Sequence, residues 1–414
     1  MKLHERLSNL TPEQRALFEQ RLKEKGLAER VLPQEPTLIP DAVLKHVAGQ
    51  GKSPRAADRP RRTDKGMEFS LFFFSGDGSA AGEGKYDLLL DSARYADQNG
   101  FRAIWTPERH FEDFGGLYPN PSVVSAALAV TTEKMQLRAG SVALPLHHPI
   151  RFVEEWSVVD NLSRGRVAVS FATGWHPADF VLAPERTREY YDNRKDNMIE
   201  NIKLIRRLWS GEPHTITDFE GTEHVVKILP RPLQPELEIW VAISNNVETF
   251  IKAGEVGAHV LTGMVNQPPD DLEQKIQLYR KARAENGYDP DTGKVTVMLH
   301  TCVGESNDEI KGLVREPLKD YLKTFIKQQK NIMEGYGHFS EADQDTVVSY
   351  AFDKYFEESA LFGTPDKCGQ LVRDLIDVGV DEVACLVDFG ITNENVLDSL
   401  QHLTVLKDRF HGRS

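Results

Sequence analysis

From Met67 to the end, the sequence alternates between short apolar runs and longer amphipathic segments. "MEFSLFFFS", "FRAIWTPE", "MQLRAGSVALP", "RVAVSFATG", "EIWVAIS", "HVLTGMV", "KVTVMLHTCVG" and "DEVACLVDF" read as strands. Helical segments lie between them, among them "KYDLLLDSARYADQNG", "PSVVSAALAVTTEK", "HPIRFVEEWSVVDNLSRG" and "PDDLEQKIQLYRKARAENG". Strands this continuously apolar belong to a parallel sheet covered on both faces. Eight such units in strict alternation predict an α/β protein closed into a (β/α)8 TIM barrel, with an open doubly wound sheet as the structural rival. Two insertions interrupt the repeat: a small hairpin over 213–236, after strand 4, and extra helical segments over 316–362, after strand 7.

The part before the barrel has a different composition. Residues 1–27 predict a short amphipathic helix, with Thr11 as N-cap, Pro12 at the first helical position and Gln14 completing a capping box. Residues 28–64 are rich in proline and basic side chains and read as a flexible linker, which leaves 65–414 for the barrel domain. The net charge of −13 repels nucleic acid and anionic membrane, so neither is an expected partner. The three cysteines form no Cys-x-x-Cys pair, which excludes a disulfide framework or a cysteine zinc site and fits a reducing cytoplasm. The start, "MKLHERLSNL", lacks an apolar leader core, and no run reaches the roughly 18 apolar residues of a membrane span. A cytoplasmic protein is expected.

In a TIM barrel the functional groups sit on the loops that follow the strands. After strand 2 comes "PERHF", where Glu108, Arg109 and His110 stand side by side between Trp105 and Phe111. That group faces either a pocket or only solvent, as an ordinary salt-bridged patch. After strand 4, "FATGWHPADF" offers Gly174 for close backbone approach, with Trp175 and His176 as a planar surface and a titratable group. After strand 5, "AISNN" puts Ser244 and Asn245 at a helix start, where free N–H groups favour a phosphate and where simple capping explains the same residues. Arg194, at the start of the fourth helix, would supply a cation to that phosphate. Gly76, Gly78 and Gly82 miss the dinucleotide spacing by one residue and read as a flexible loop over the mouth. His147 and His148 follow strand 3 without a third ligand at metal spacing, so no metal is expected.

Taken together, "GFRAIWTPERHFEDFGGLYPNP", "RAGSVALPLHHPIR", "NLSRGRVAVSFATGWHPADF", "LFGTPDKC" and "GVDEVACLVDFG" resemble the bacterial-luciferase-like flavin monooxygenases. More narrowly, they resemble the branch found in polyketide and nonribosomal-peptide antibiotic pathways. The resemblance spans about 67–414 in matching order. It implies a barrel that takes reduced FMN from a separate flavin reductase, reacts with O2 as co-substrate and oxygenates a substrate. It also implies a homodimer, and an acyl or aminoacyl substrate presented by an acyl or peptidyl carrier protein.

By motif position, Gly140 and Ser141 match a bulge after strand 3 where family members often carry a non-proline cis peptide beside the flavin ring. Ala172, Thr173 and Gly174 match the flavin-lining end of strand 4. Arg194 matches a phosphate-binding arginine, and Ala242, Ser244 and Asn245 the strand-5 end that holds ring and phosphate. His110 becomes the expected acid/base, with Arg109 as an anion anchor, Glu108 shaping the pocket, and Phe111, Trp175 and His176 lining the substrate space. Luciferase's Glu-His-His-Phe motif has its catalytic histidine where Arg109 stands, and its reactive cysteine position is Ala172, so light production is not expected. Hydroxylation is the expected reaction. Baeyer–Villiger or N-oxygenation, a non-catalytic flavin-binding barrel and a deazaflavin-dependent dehydrogenase are the rivals on the same scaffold.

Overall fold

The computed structural model describes residues 66–74, 84–174, 176–264, 267–328 and 352–411. The expected N-terminal helix and linker, the glycine loop at 76–82, Trp175 and much of the second insertion lie outside the described residues.

Eleven strands run in chain order among the described residues: β1 (Glu68–Phe72), β2 (Ala103–Thr106), β3 (Gln136–Ala143), β4 (Val167–Ala172), β5 (His214–Thr217), β6 (Glu223–Val226), β7 (Glu238–Ala242), β8 (His259–Gly263), β9 (Val295–Val303), β10 (Leu361–Gly363) and β11 (Glu382–Leu386). Eight of them pair in parallel in the order β1-β2-β3-β4-β7-β8-β9-β11, and β11 pairs back to β1. The barrel is therefore closed, and the open sheet is excluded. Helices α1 (Asp87–Gln98), α2 (Pro121–Thr131), α3 (Pro149–Ser163), α4 (Arg188–Asp192), α5 (Arg194–Ser210), α6 (Val247–Glu255), α7 (Pro269–Glu285), α8 (Asn307–Gln328), α9 (352–358), α10 (Pro365–Val378) and α11 (Asn393–Arg409) surround it.

Local chemistry sets the element ends. Asn120 caps α2 by accepting from the Ser122 and Val123 amides, and Pro121 follows at the first helical position, where its missing N–H costs nothing. Strand β2 stops at Thr106, two residues short of the sequence expectation, because Pro107 has no amide to continue the ladder. Within the first insertion, β5 and β6 pair antiparallel, as expected, around a turn in which the Asp218 carboxylate accepts from the Glu220 and Thr222 amides. The second insertion returns through β10, which pairs with the last residues of β9 and adds a strand that three apolar residues did not announce. No helix among the described residues is long and apolar enough to cross a membrane.

The barrel interior is not wholly apolar. Near its floor, Arg138 of β3 donates through Nη1 to both carboxylate oxygens of Glu382 on β11, at 2.8 and 2.7 Å. Both side chains are fully buried. The guanidinium lies 4.7 Å from the Trp105 ring and 4.4 Å from the Trp240 ring, against two indoles that themselves meet edge to face at 5.4 Å. Ser70 and Thr296 also donate to Glu382. Burial alone would raise that carboxyl, and the Arg138 charge and these hydrogen bonds hold it below its ordinary value.

Candidate active site

The loop after β2 is pinned by its own backbone. The Glu108 amide donates to the Ser141 carbonyl at 3.2 Å, and the Arg109 amide to the Tyr118 carbonyl at 2.9 Å. This turns Glu108 inward, where its side chain is 1% exposed. One carboxylate oxygen, Oε1, meets Nε2 of His110 at 2.9 Å and Nε2 of His147 at 2.8 Å. The other, Oε2, accepts the Ala143 amide at 2.8 Å. Burial pushes the Glu108 carboxyl up, but the charges and hydrogen bonds of His147 and His110 outweigh it and bring it down to about 2. An ionised carboxylate only accepts, so both imidazoles carry a proton on Nε2 and leave Nδ1 for other work.

Glu108 is ionised and saturated, so it orients two histidines and is not itself a free base. His147 was singled out in the sequence only as a metal ligand lacking company. Its place on the same carboxylate is visible only in three dimensions. Burial lowers the His147 pKa, and the Glu108 charge more than compensates, so the net shift is upward.

Arg109 is almost fully buried. Burial lowers its pKa against the opposing charges of Asp179 and Glu112. Its Cγ lies 2.6 Å from where a Cβ on Gly115 would stand, and Gly115 has φ +82°, so only glycine fits there. His176 faces Asp179 at 3.4 Å and Glu112 at 3.7 Å. Burial raises the Asp179 carboxyl, with His176 and Arg109 opposing. Phe111 is 65% exposed, 5.7 Å from the His110 ring and at φ +59°, which puts it on the rim rather than in a closed pocket wall.

The Gly140–Ser141 peptide is cis, and the β3–β4 register shifts between Gly140 and Val142. The bulge thus lies within β3, not after it. A Cβ on Gly140 would fall 2.8 Å from the Phe72 ring and 2.9 Å from Trp105. Ala172 ends β4, and Thr173 and Gly174 continue from it, half-buried, with Gly174 at φ +66°. Arg194 opens α5. Its Nε donates to the Gly174 carbonyl at 3.1 Å, its Nη1 to the Tyr191 carbonyl at 2.9 Å, and it stacks 4.3 Å from the Tyr191 ring. Ala242 ends β7, and Ser244 and Asn245 are exposed beyond it. Neither caps α6. Asn246 does, accepting from the Thr249 amide.

Opposite this cluster, His300 near the end of β9 is enclosed by Tyr321, Tyr355 and Phe389, and its Nδ1 is 2.7 Å from the Tyr355 hydroxyl. Burial lowers its pKa to about 3. Among the described residues, no group of three or more His, Cys, Asp or Glu side chains is placed to hold a metal ion.

A parallel barrel with ionisable groups gathered at the C-terminal mouth matches one family model, described as luciferase-like monooxygenase, over residues 67–382. The chain belongs to that family. Its activity class is flavin-dependent monooxygenase. The chain is similar to the oxygenase component of the flavin-dependent trigonelline monooxygenase of Acinetobacter baylyi, at 25% identity over 77% of this chain and 88% of that protein. It is similar to 4-hydroxyprotoasukamycin monooxygenase of Streptomyces nodosus subsp. asukaensis, at 27% identity over 69% of this chain and 76% of that protein. Its fold resembles the oxygenating constituent of 3,6-diketocamphane monooxygenase of Pseudomonas putida, a type II Baeyer–Villiger enzyme in complex with FMN. There the TM-score is 0.68 and the identity 19%, over 83% of this chain and 97% of that one.

Proposed function

We propose that this protein uses reduced FMN from a separate flavin reductase, together with O2, to hydroxylate an acyl or aminoacyl substrate in secondary-metabolite biosynthesis. The carrying observation is the Glu108–His110–His147 cluster at the mouth, where one ionised carboxylate fixes two imidazoles beside the β3 bulge. The reductase partner follows the trigonelline relative, which is named as an oxygenase component. The asukamycin relative points to secondary metabolism. Presentation of the substrate on a carrier protein rests on the N-terminal segment, which lies outside the described residues.

The mouth suits FMN. Arg194, held by the Gly174 carbonyl and the Tyr191 ring, stands at the start of α5, and Asn193 before it makes no side-chain cap. Asp196 in that first turn pairs with Lys252, in the last turn of α6, at 2.8 Å, so α5 and α6 are neighbours. A helix start that carries a guanidinium and a loop that leads into another helix both suit an anion, and Arg194, Ser244 and Asn245 are assigned to the phosphate on that ground. Gly140, Ser141, Ala172, Thr173 and Ala242 line the approach for the ring. Bound there in reduced form, FMN supplies the electrons for O2 activation. The chain supplies the rest: His110 holds or moves a proton at Nδ1, Glu108 fixes its ring, His147 helps hold Glu108 ionised, and Arg109 offers a buried positive charge to an anionic group.

Val123 and Val130 on α2 and Val158 and Leu162 on α3 are exposed on helices that pack together. That apolar face supports a homodimer through α2 and α3.

The test loads the protein anaerobically with reduced FMN and mixes it with O2. Flavin reoxidation slower than that of free FMN supports the reading, and reoxidation at the free rate overturns it. His110→Ala should leave FMN affinity unchanged and lower turnover by about 10²- to 10⁴-fold. Unchanged turnover would remove His110 from the mechanism.

A further inference from the structure

A buried polar chain runs from α7 to the loop that follows β7. Lys275, 2% exposed, donates to Asp271 at 2.6 Å and to Oε1 of Gln267 at 2.8 Å. Gln267, 1% exposed, donates through Nε2 to the Gly263 carbonyl at 2.9 Å and to the Thr262 hydroxyl at 3.2 Å. Thr262, also buried, donates to the Ser244 carbonyl at 3.0 Å. A lysine ammonium has donors only. It therefore fixes the Gln267 amide with oxygen towards α7 and nitrogen towards β8. That nitrogen occupies an acceptor position on Thr262, whose one proton then goes to Ser244. The cation gives the whole chain a single direction.

The direction has a consequence at the mouth. In a trans peptide the C=O of one residue and the N–H of the next point opposite ways. Cis bonds among the described residues occur at Gly140–Ser141 and Leu229–Pro230, so the Ser244–Asn245 peptide is trans. With the Ser244 carbonyl drawn inward to Thr262, the Asn245 N–H is turned away from the core, on the exposed face of the loop. Burying a lysine, a carboxylate and an amide is costly unless each is fully paired, and an apolar α7–β8 contact would serve packing as well.

We propose that Lys275, acting through Gln267 and Thr262, is a positioning residue that presents the β7–α6 loop to the phosphate of FMN. This rests on the reading of Ser244 and Asn245 as part of the phosphate site. Riboflavin has the same ring and no phosphate, so the ratio of FMN to riboflavin affinity isolates this contribution from general damage to the fold.

The experiment measures binding of oxidised FMN and of riboflavin by flavin fluorescence, in the full chain and in Thr262→Val, Thr262→Ser and Lys275→Met. Thr262→Val keeps the shape and removes the hydroxyl that accepts from Gln267 and donates to Ser244, so it stays testable if Lys275→Met fails to fold. Expected is an FMN affinity lowered about five- to tenfold in Thr262→Val, with riboflavin affinity changed less than about twofold and FMN affinity recovered in Thr262→Ser. Equal weakening of both ligands, or none of either, overturns the proposal and leaves the chain a packing device. A wild-type protein that binds FMN no better than riboflavin overturns the phosphate reading itself, and the proposal with it.

Discussion

Two buried carboxylates, one at the barrel floor and one at the mouth, are saturated with hydrogen bonds and held ionised. Glu382 takes its donors from Arg138, Ser70 and Thr296, and Glu108 from His110, His147 and the Ala143 amide. The difference lies in the partners. A guanidinium does not give up its proton in a protein, and two indoles seal it in. An imidazole is able to give up and take back its proton, and the His110 and His147 side chains are 12% and 25% exposed. The same device locks the proton in place where the partner is a guanidinium and leaves it exchangeable where the partner is an imidazole.

The largest expected effect breaks the floor pair. Arg138→Met leaves Glu382 buried and unpaired, which should cost roughly 3–5 kcal/mol in urea unfolding. Adding Glu382→Leu should recover most of that loss, because two apolar side chains need no pairing. A single variant that loses less than about 1 kcal/mol would mean that the interior relaxes or admits water, and the contrast with the mouth would fail.

The mouth cluster should show itself in stability against pH. The folded-state pKa of Glu108 is depressed from 4.5 to about 2. Its contribution is therefore present above pH 4.5 and is lost as pH falls from there through about 2. At neutral pH it is on the order of 3 kcal/mol. His147 shifts the other way. Its pKa is raised from 6.5, so its contribution is complete below 6.5 and fades as pH rises through the raised value. Unfolding measured over a pH series should flatten on the acid side in Glu108→Gln and above pH 6.5 in His147→Gln. Retention of the acid slope in Glu108→Gln would assign it to other carboxylates.

The barrel was legible because each barrel strand is an apolar run of the right length and the segments between them carry helical patterning. The hairpin at 213–236 was legible for the same reason, through its turn residues. Arg138 and Glu382 were not, because one charged residue inside an apolar run carries no sign of its partner 244 positions away. The "PERHF" loop announced Glu108, Arg109 and His110 by composition and by its place after a strand. His147 lies 39 positions from Glu108, and only closure of the barrel brings its ring to the same oxygen. The buried lysine of α7 gave no signal either, since its aspartate partner at i−4 is indistinguishable in sequence from an exposed helix pair.

Gly140 joins the two regions, and its substitution sharpens the comparison most finely. Its missing Cβ makes room for Phe72 and for Trp105, the indole stacked on Arg138, while the carbonyl of its neighbour Ser141 accepts the Glu108 amide. Gly140→Ala adds one methyl group where 2.8–2.9 Å is available, so about 1–3 kcal/mol of stability should be lost to overpacking. Where the strain goes is the informative part. If the indole yields, tryptophan fluorescence changes and the reoxidation rate of bound reduced flavin does not. If the backbone yields, Ser141 moves from Glu108, the imidazole pair loses its fixed carboxylate, and reoxidation changes while the fluorescence holds. The close-packed floor has few low-cost rearrangements, whereas the Glu108 amide reaches Ser141 through one 3.2 Å hydrogen bond. The expected outcome is the second, and a fluorescence change alone would show the mouth to be the more rigid of the two.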